Sequence, residues 1–583
     1  MEDKLPTLLT VEYVVIVIYL IALAGVGPIV KSFNRNSDDY FRGGARTKWW
    51  LLGPSLAMSI ISAAAFTGVA GAIYEAGVAP LATNLGQWTA GIVLVAFLAA
   101  WLRQLRKVTG AEVVRERFGV ATEQFFSYLN MCMMPIYGAF QLLGLSIFVS
   151  AVFKIPLEQT IIGLGIVVGV YSVSGGRWAV MATDFLQNLV LQTVVIAVGI
   201  LAFVQLGGVG GFIEKVGASG GFQFIHEAGA FPDGQYTGTW VIAVFCIMFI
   251  GQLQLGWSAR FFAAKDGAEA QKATALMFVI LIGSTIFFMA PPLAARVLYP
   301  DQVMAFSGIL NKPEESAYVV ACLNLLPTGM MGLVLVAMFS ATAAAMDSGL
   351  NSNAAVIVRN VMPPLRRKFS LISLDPMTEL KWGRRVTTVL AAVILITTLG
   401  LAKLGTMGIF ELMMNFAARV QLPLTIPFVL AIFLRNAPRS SAMFSIIAGF
   451  AGPLILFFIL ETQGISFEFS GRLVVVALFS VVGFFLSYRL WPDRDPEAIA
   501  QTKVFYHDML RPVDFEKEVG NANDYQQLYL LGRLSAGLGC LLLLLLLIPN
   551  SLQDRLTILG MAGGILVVGL LMLFAANRSR YKS

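Results

Sequence analysis

Apolar residues gather in about fifteen long segments, separated by short stretches of charged and turn-forming residues. Lipid has no partner for an open backbone N–H or C=O, so an apolar segment of roughly twenty residues reads as a membrane-spanning helix. The segments lie near residues 11–30, 50–74, 83–102, 122–152, 157–173, 178–206, 239–258, 273–298, 330–357, 386–403, 407–434, 441–460, 473–488, 529–548 and 556–576. Segment 315–327 is shorter and reads as a re-entrant or surface helix on the outer side. The pattern predicts an all-α polytopic membrane protein of about fifteen transmembrane helices, with the lipid bilayer as its first partner.

Charge orients these segments. One side holds Lys31, Arg35, Arg42, Arg46 and Lys48, the Arg103–Arg117 cluster, Arg260 to Lys272, Arg359 to Arg385, Arg435 with Arg439, and Arg578, Arg580 and Lys582. About 32 of the 41 Lys and Arg fall there, and short basic loops stay cytoplasmic. The N-terminus is therefore expected outside and the C-terminus inside. This distribution accounts for the net charge of +7 without a nucleic-acid partner. At 57% hydrophobic and 13% charged, the chain lies far outside the range of a soluble domain. The first segment lacks a basic leader and reads as a span, not a cleaved signal.

Two features break the apolar pattern in corresponding places. Segment 50–74 contains Gly53-Pro54, Ser59, Ser62, Gly68 and Gly71, and segment 239–258 contains Gly251-Gln-Leu-Gln-Leu-Gly256. Paired interrupted helices point to a site at mid-membrane, where unwound carbonyls and helix ends meet ions and substrate. A third feature is Asp347, in the middle of an apolar segment, where an acid is costly unless an ion, a proton or a partner meets it. The two histidines, His226 and His507, lie in separate soluble loops, so no histidine-based metal site is expected. No nucleophile–base pair, phosphate loop or metal cluster argues for an enzyme.

Several strings spread along the chain resemble those of one family: Asp38-Asp-Tyr-Phe-Arg-Gly-Gly44 with Trp49-Trp50, Thr109-Gly-Ala-Glu-Val-Val-Arg-Glu-Arg-Phe-Gly119, Gly175-Gly-Arg-Trp-Ala-Val-Met-Ala-Thr-Asp-Phe-Leu-Gln187, Arg260-Phe-Phe-Ala-Ala-Lys-Asp-Gly-Ala-Glu-Ala-Gln-Lys272 and Asp347-Ser-Gly-Leu-Asn-Ser352. Over residues 10–490 the chain is similar to the sodium/solute symporter family, which includes sugar, proline, pantothenate, iodide, monocarboxylate and sialic acid carriers. The resemblance implies an inverted-repeat (5+5) core. Residues 1–49 would carry an extra span and a cytoplasmic loop, 50–206 the first repeat, and 239–434 the second. Residues 207–238 would form an external loop, 435–488 two accessory spans, 489–528 a cytoplasmic loop with a solvated surface helix, and 529–583 two further spans with a basic tail.

By resemblance, one sodium ion sits between the first and eighth core helices, held in part by the carbonyls of Met58, Ile61 and Ala341. Two adjacent hydroxyl residues normally complete that shell, but here the positions are Ala344 and Ala345, which offer no side-chain oxygen. A hard cation wants about five or six oxygens, so ordinary sodium coupling is weakened there. A second position in some members corresponds to Asp347, Ser348 and Asp184. Two carboxylates in a low dielectric repel unless a cation or proton lies between them, which moves the expected coupling ion, Na+ or alternatively H+, to these residues. The competing reading pairs each acid with a nearby Arg or Lys.

For the solute, the stretch Ile60-Ile-Ser-Ala-Ala-Ala-Phe66, which includes Ala64, is apolar where the family's sugar carriers place polar residues. Polar candidates are Tyr137 and Gln141, one turn apart; Gln252, Gln254 and Trp257 at the second break; and Asn415, Arg419 and Gln421. Arg419 stands near the centre of segment 407–434, where a cation needs compensation, and a guanidinium suits a carboxylate. Its competing reading is a salt bridge to Glu411 or Asp347. The expected function is cation-coupled symport of a small organic solute, with an anionic one among the candidates, across a bacterial inner membrane, with no obligatory protein partner. Proton-coupled or uncoupled transport, or a solute-sensing receptor of the same fold, stand as alternatives.

Overall fold

The computed structural model describes residues 10–30, 45–172, 177–255, 258–370, 375–403, 407–518, 520 and 524–580. Among these residues every regular element is a helix, apart from one bridge between Thr47 and Ala264. Eleven helices are long and apolar enough to cross a membrane, and the bent pair Trp49–Ile60 and Ala65–Ala76 makes twelve. Three more, Thr10–Tyr19, Leu157–Val170 and Gly238–Gln252, are apolar but shorter. Each apolar segment of the sequence thus carries helix.

In chain order the helices are α1 Thr10–Val30, α2 Trp49–Ile60, α3 Ala65–Ala76, α4 Leu81–Gln104, α5 Gly110–Phe153, α6 Leu157–Ser172, α7 Arg177–Gln205, α8 Gly208–Ala218, α9 Gly238–Gln252, α10 Ser258–Phe261 and α11 Gly267–Leu298. They continue with α12 Ala317–Leu325, α13 Met330–Lys368, α14 Pro376–Lys403, α15 Ile409–Phe433, α16 Ser441–Thr462, α17 Phe469–Leu490, α18 Pro496–Leu510, α19 Phe515–Glu518, α20 Asp524–Leu543 and α21 Leu552–Arg580. Helix α13 is the axis of the bundle: nearly all of its apolar window is buried, and α1, α5, α7 and α14 pack around it. Helices α16 with α17, and α20 with α21, form outer hairpins.

Local chemistry explains several joints. Glu12 of α1 is buried, yet its carboxylate accepts the backbone N–H groups of Gly329 and Gly332 at 2.7 and 2.5 Å. These lie at the start of α13, where donors have no helical partner and the dipole favours an anion. Gly119, at φ 83°, divides α5 into a short piece at the basic end and a long apolar piece. Thr109 caps the short piece by accepting the Glu112 N–H.

The segment after α17 differs from the solvated helix expected for residues 489–528. Phe505, Tyr506 and Met509 of α18, and Phe515 of α19, are buried against the ends of α4, α5 and α15. Arg117 donates from Nε to the Tyr506 hydroxyl at 2.9 Å, and that hydroxyl donates to the Ala431 carbonyl. The segment is a strap over the basic end. Its charges face water while its aromatic residues face inward, and a charge count registers only the first.

Candidate functional site

Both predicted interruptions are real breaks. At the first, Ile61 and Ser62 leave the helix, with Ile61 extended (φ −80°, ψ 128°), and the axis bends by 61°. The break frees helix-end carbonyls and N–H groups from their usual partners. The Ala63 N–H is recovered by the Thr342 hydroxyl of α13 at 3.0 Å, a tie that residue spacing along the chain does not reveal. At the second, α9 stops at Gln252 and the chain runs irregularly through Leu255 before α10. Gly256 and Trp257 lie outside the described residues.

One cavity of about 480 Å3 joins the two breaks. It runs from Val69, Thr83 and Asn84, past Phe66 and Phe288, to Val108–Ala111, the link between α4 and α5 at the basic end. Around Phe66 the bundle is closely packed: Phe66 meets Phe288 and Tyr318 edge-on at centroid distances of 5.1 and 5.0 Å. The wall carries many apolar groups, with amides and hydroxyls set among them. Tyr137, Gln141, Gln252, Gln254 and Gln421 all line it. The Tyr137 hydroxyl donates to the Gln421 side-chain oxygen at 2.5 Å, and the Gln421 amide donates to the Gly251 carbonyl at 3.4 Å. This chain of bonds ties α5 and α15 to the second break.

Two expected solute contacts lie elsewhere. Arg419 is exposed and absent from the wall, and Asn415 donates back to the Glu411 carbonyl at 3.0 Å. Helical residues advance by about 100° each, so when Gln421 faces the cavity, Arg419 faces away. A π-helical turn over Ala417–Gln421 sets this register. Ala64 is buried beside Gly144, where a Cβ would come within 2.4 Å of the Ala64 Cα. It therefore serves close helix packing.

For the ion, Met58 and Ala341 are fully buried near the first break, and Ala344 and Ala345 are buried without side-chain oxygens. Asp347 is 3% exposed, and its Oδ1 accepts the Asn351 amide at 3.0 Å. Ser348 lines the cavity. Asp184 of α7 is fully buried and is held differently. Its Oδ2 accepts the Ser55 hydroxyl at 2.7 Å and Arg260 Nη1 at 3.0 Å. For this acid, pairing with an arginine is the arrangement present.

Ser55, Arg260 and Thr342 are absent from the residues expected on sequence grounds. Arg260 lies in a run with Lys265 and Lys272 that reads as a basic loop. Folded, it is 3% exposed, and it is the one Lys, Arg, Asp or Glu among the described residues on the cavity wall. Only its proximity to Asp184, 76 residues away in sequence, gives it meaning.

Comparison with known proteins places this geometry in context. The profile of the Sodium:solute symporter family matches residues 40–449. A sodium/glucose cotransporter of Vibrio parahaemolyticus is 26% identical over 85% of this chain and 94% of its own length. A sodium/sialic acid symporter of Aliivibrio fischeri is 23% identical over 82% and 92%. Among solved structures, a Na+-coupled sialic acid symporter in a substrate-bound outward-open state superposes with a TM-score of 0.68 at 20% identity, covering 82% of this chain and 98% of the other.

Proposed function

The chain belongs to the sodium:solute symporter family, and from that premise we propose that it imports a small polar solute with Na+ by alternating access. It is a multi-pass membrane transporter, not an enzyme. In this reading all fifteen apolar helices cross the bilayer, N-terminus out, in a bacterial inner membrane, with inverted repeats over 50–206 and 239–434. The observation that carries it is the single cavity shared by the two helix breaks. A solute there meets amide and hydroxyl groups from Tyr137, Gln141, Gln252, Gln254 and Gln421. Arg419 faces away and Asp184 offsets Arg260, so a polar solute without fixed charge fits better than an anion.

The coupling ion is assigned to Asp347 and Ser348, with Asp184 as the neighbouring acid. Met58, Ile61 and Ala341 would supply carbonyls at the position between the first and eighth core helices, which Ala344 and Ala345 leave short of oxygens. That shortage also favours a second reading, in which a proton on Asp347 replaces Na+. The test is the melting temperature of purified protein in sodium, potassium and choline chloride at matched ionic strength. A ligand of the folded state stabilises it by about 2.7 kcal/mol at a hundred times its Kd. A saturable sodium-specific rise is expected in wild type and not in Asp347→Asn. A full sodium response in Asp347→Asn overturns the ion assignment. A response to pH alone, lost in the same variant, transfers the coupling role to the proton.

A further inference from the structure

Helix α20, with the tight turn that extends it to Leu547, directs one stripe of residues away from the bundle. The stripe is Tyr529, Arg533, Gly537, Cys540, Leu544 and Leu547, all exposed and each three or four positions from the last. Residues at that spacing share one helix face. Leu544 and Leu547 are 54% and 81% exposed, and a Cβ at Gly537 would meet nothing within 4 Å. In a chain that crosses a bilayer, such a stripe faces lipid. Arg533 is a full charge on it. Among the described residues no Asp or Glu forms an ion pair with Arg533. Its guanidinium carbon lies 5.5 Å from the centroid of the Tyr529 ring, and that ring stacks on Tyr525 at 5.7 Å.

The length of the helix turns this charge into a need for a ligand. Fifteen residues without a charge run from Leu534 to Ile548, about 22–25 Å of helix, whereas the hydrocarbon core is about 30 Å thick. Beyond them the Asn550 amide donates to the Thr328 carbonyl at 3.0 Å, beside the start of α13, so α20 is fixed lengthwise against the bundle. Arg533 then lies inside the hydrocarbon edge unless the bilayer thins or a headgroup is drawn down to it. A guanidinium there is costly without an anion, and its planar donors match a phosphate in a two-point contact. We propose that Arg533 and Tyr529 form a site for the phosphate of an anionic phospholipid in the leaflet at the basic end. Tyrosine rings sit where helices meet headgroups, so the Tyr529 ring holds the guanidinium at that depth. Helix α21 returns beside α20 to the exposed Arg578, nearer the same surface. The two arginines select a headgroup with no amine to offset its phosphate. Helices α20 and α21 pack as a hairpin on α7, and the bound lipid steadies that hairpin against the bundle.

The site requires only that α20 crosses the bilayer, and its test is independent of the coupling ion. Melting of the full-length protein is followed in a neutral detergent while phosphatidylglycerol or, separately, phosphatidylcholine is added. A saturable rise is expected with phosphatidylglycerol and a much smaller one with phosphatidylcholine. Arg533→Gln is expected to raise the half-maximal phosphatidylglycerol concentration by at least about tenfold, the scale of one charge-assisted contact. Arg494→Gln removes an exposed charge from the link after α17, outside any span, and is expected within about threefold of wild type. Equal shifts in the two variants would reduce the effect to general attraction and overturn the proposal. Equal stabilisation by phosphatidylcholine, or by glycerol phosphate alone, overturns it too. A dimer that depends on Arg533 without any lipid effect makes a second copy the occupant, and also overturns it. If Arg533→Gln does not fold, a photoreactive phosphatidylglycerol is crosslinked to wild type. Label on residues 525–537 supports the site, and label confined to other segments overturns it.

Discussion

The two ends of the cavity are closed by different physics. Toward Phe66 the bundle is sealed by apolar and aromatic packing, with residues 313–316 laid across α3 and the start of α15. Of the two acids in that segment, Glu315 is buried and accepts the Ile409 N–H at 2.6 Å. Toward Val108 the cavity reaches helix ends held by a strap with solvent-facing ion pairs, Arg106 to Glu518 foremost. A packed seal is strong, insensitive to salt and costly to open. A strap docked by aromatic residues and trimmed by partly exposed ion pairs is adjustable by salt at its charged contacts alone.

The largest expected effect falls on the seal. Phe66 is 2% exposed and meets two aromatic rings edge-on. Phe66→Ala removes both contacts and leaves a cavity, costing about 3–5 kcal/mol. The melting temperature should fall sharply, and a cysteine placed at Tyr318 should become reactive to a membrane-impermeant thiol reagent. Unchanged melting with an unreactive cysteine would show that the rings are not the seal.

Next is Glu315. Burial pushes its carboxyl up to about 7, with Glu314 adding to the rise, while the Ile409 N–H and Lys312 pull downward. A raised folded-state value means the protonated form is favoured in the sealed state. The stability it contributes is complete below the ordinary carboxylate value and is lost as pH rises through about 7. The size is roughly 3 kcal/mol at most. Melting should therefore decline between about pH 4.5 and pH 7, and Glu315→Gln should flatten that slope. A slope that survives in the glutamine variant would assign it to another group.

A smaller effect sharpens the same contrast. At Gly71 a Cβ would meet the Glu315 Cα and N at 3.1 Å, both backbone atoms that cannot swing aside. Gly71→Ala should cost about 1–3 kcal/mol through overpacking. Gly119→Ala, at the basic end, meets nothing nearer than the Arg439 Cδ at 4.0 Å. It suffers only from its backbone, φ 83° with ψ 175°, a region essentially reserved to glycine, at about 1–3 kcal/mol. Gly71→Ala thus reports packing at the Phe66 end, and Gly119→Ala reports backbone strain alone.

The sequence made these elements visible to different degrees. Apolar runs and glycine-rich interruptions announce helices and breaks because lipid enforces them locally. Tyr137, Gln252 and Gln421 could be singled out because a polar side chain in an apolar run needs a reason. Arg419 was equally conspicuous, but its direction depends on a π turn that shifts the helix register, and no local signal marks that turn. Arg260 hid among loop lysines, and Thr342 among the small residues of α13. Both act on partners far away in sequence. The strap's docking face hides for a related reason: Glu516, Lys517 and Glu518 dominate its composition, whereas the buried Tyr506 and Phe515 determine where it lies.

The smallest effect tests the strap. Arg106 bonds Glu518 through Nε at 2.6 Å and Nη2 at 2.8 Å, in a planar two-point contact. Hydrogen bonding to Arg106 holds the Glu518 carboxyl down to about 2, so the pair contributes fully above the ordinary carboxylate value and is lost as pH falls from there through about 2. Both side chains remain about a quarter to a third exposed, at 26% and 30%. Solvent screening then limits the pair to at most about 1 kcal/mol, and added salt should erode it further. Glu518→Ala should lower melting slightly in low salt and not at all near 1 M salt. Tyr506→Phe, which deletes a buried hydroxyl bonded to Arg117 and the Ala431 carbonyl, should cost about 1–3 kcal/mol at either salt. Equal salt sensitivity in the two variants would mean that the strap is held by charge throughout. The predicted split means that aromatic contacts dock it and the ion pair only trims its position, so the basic end can loosen at Arg106 while α18 stays in place.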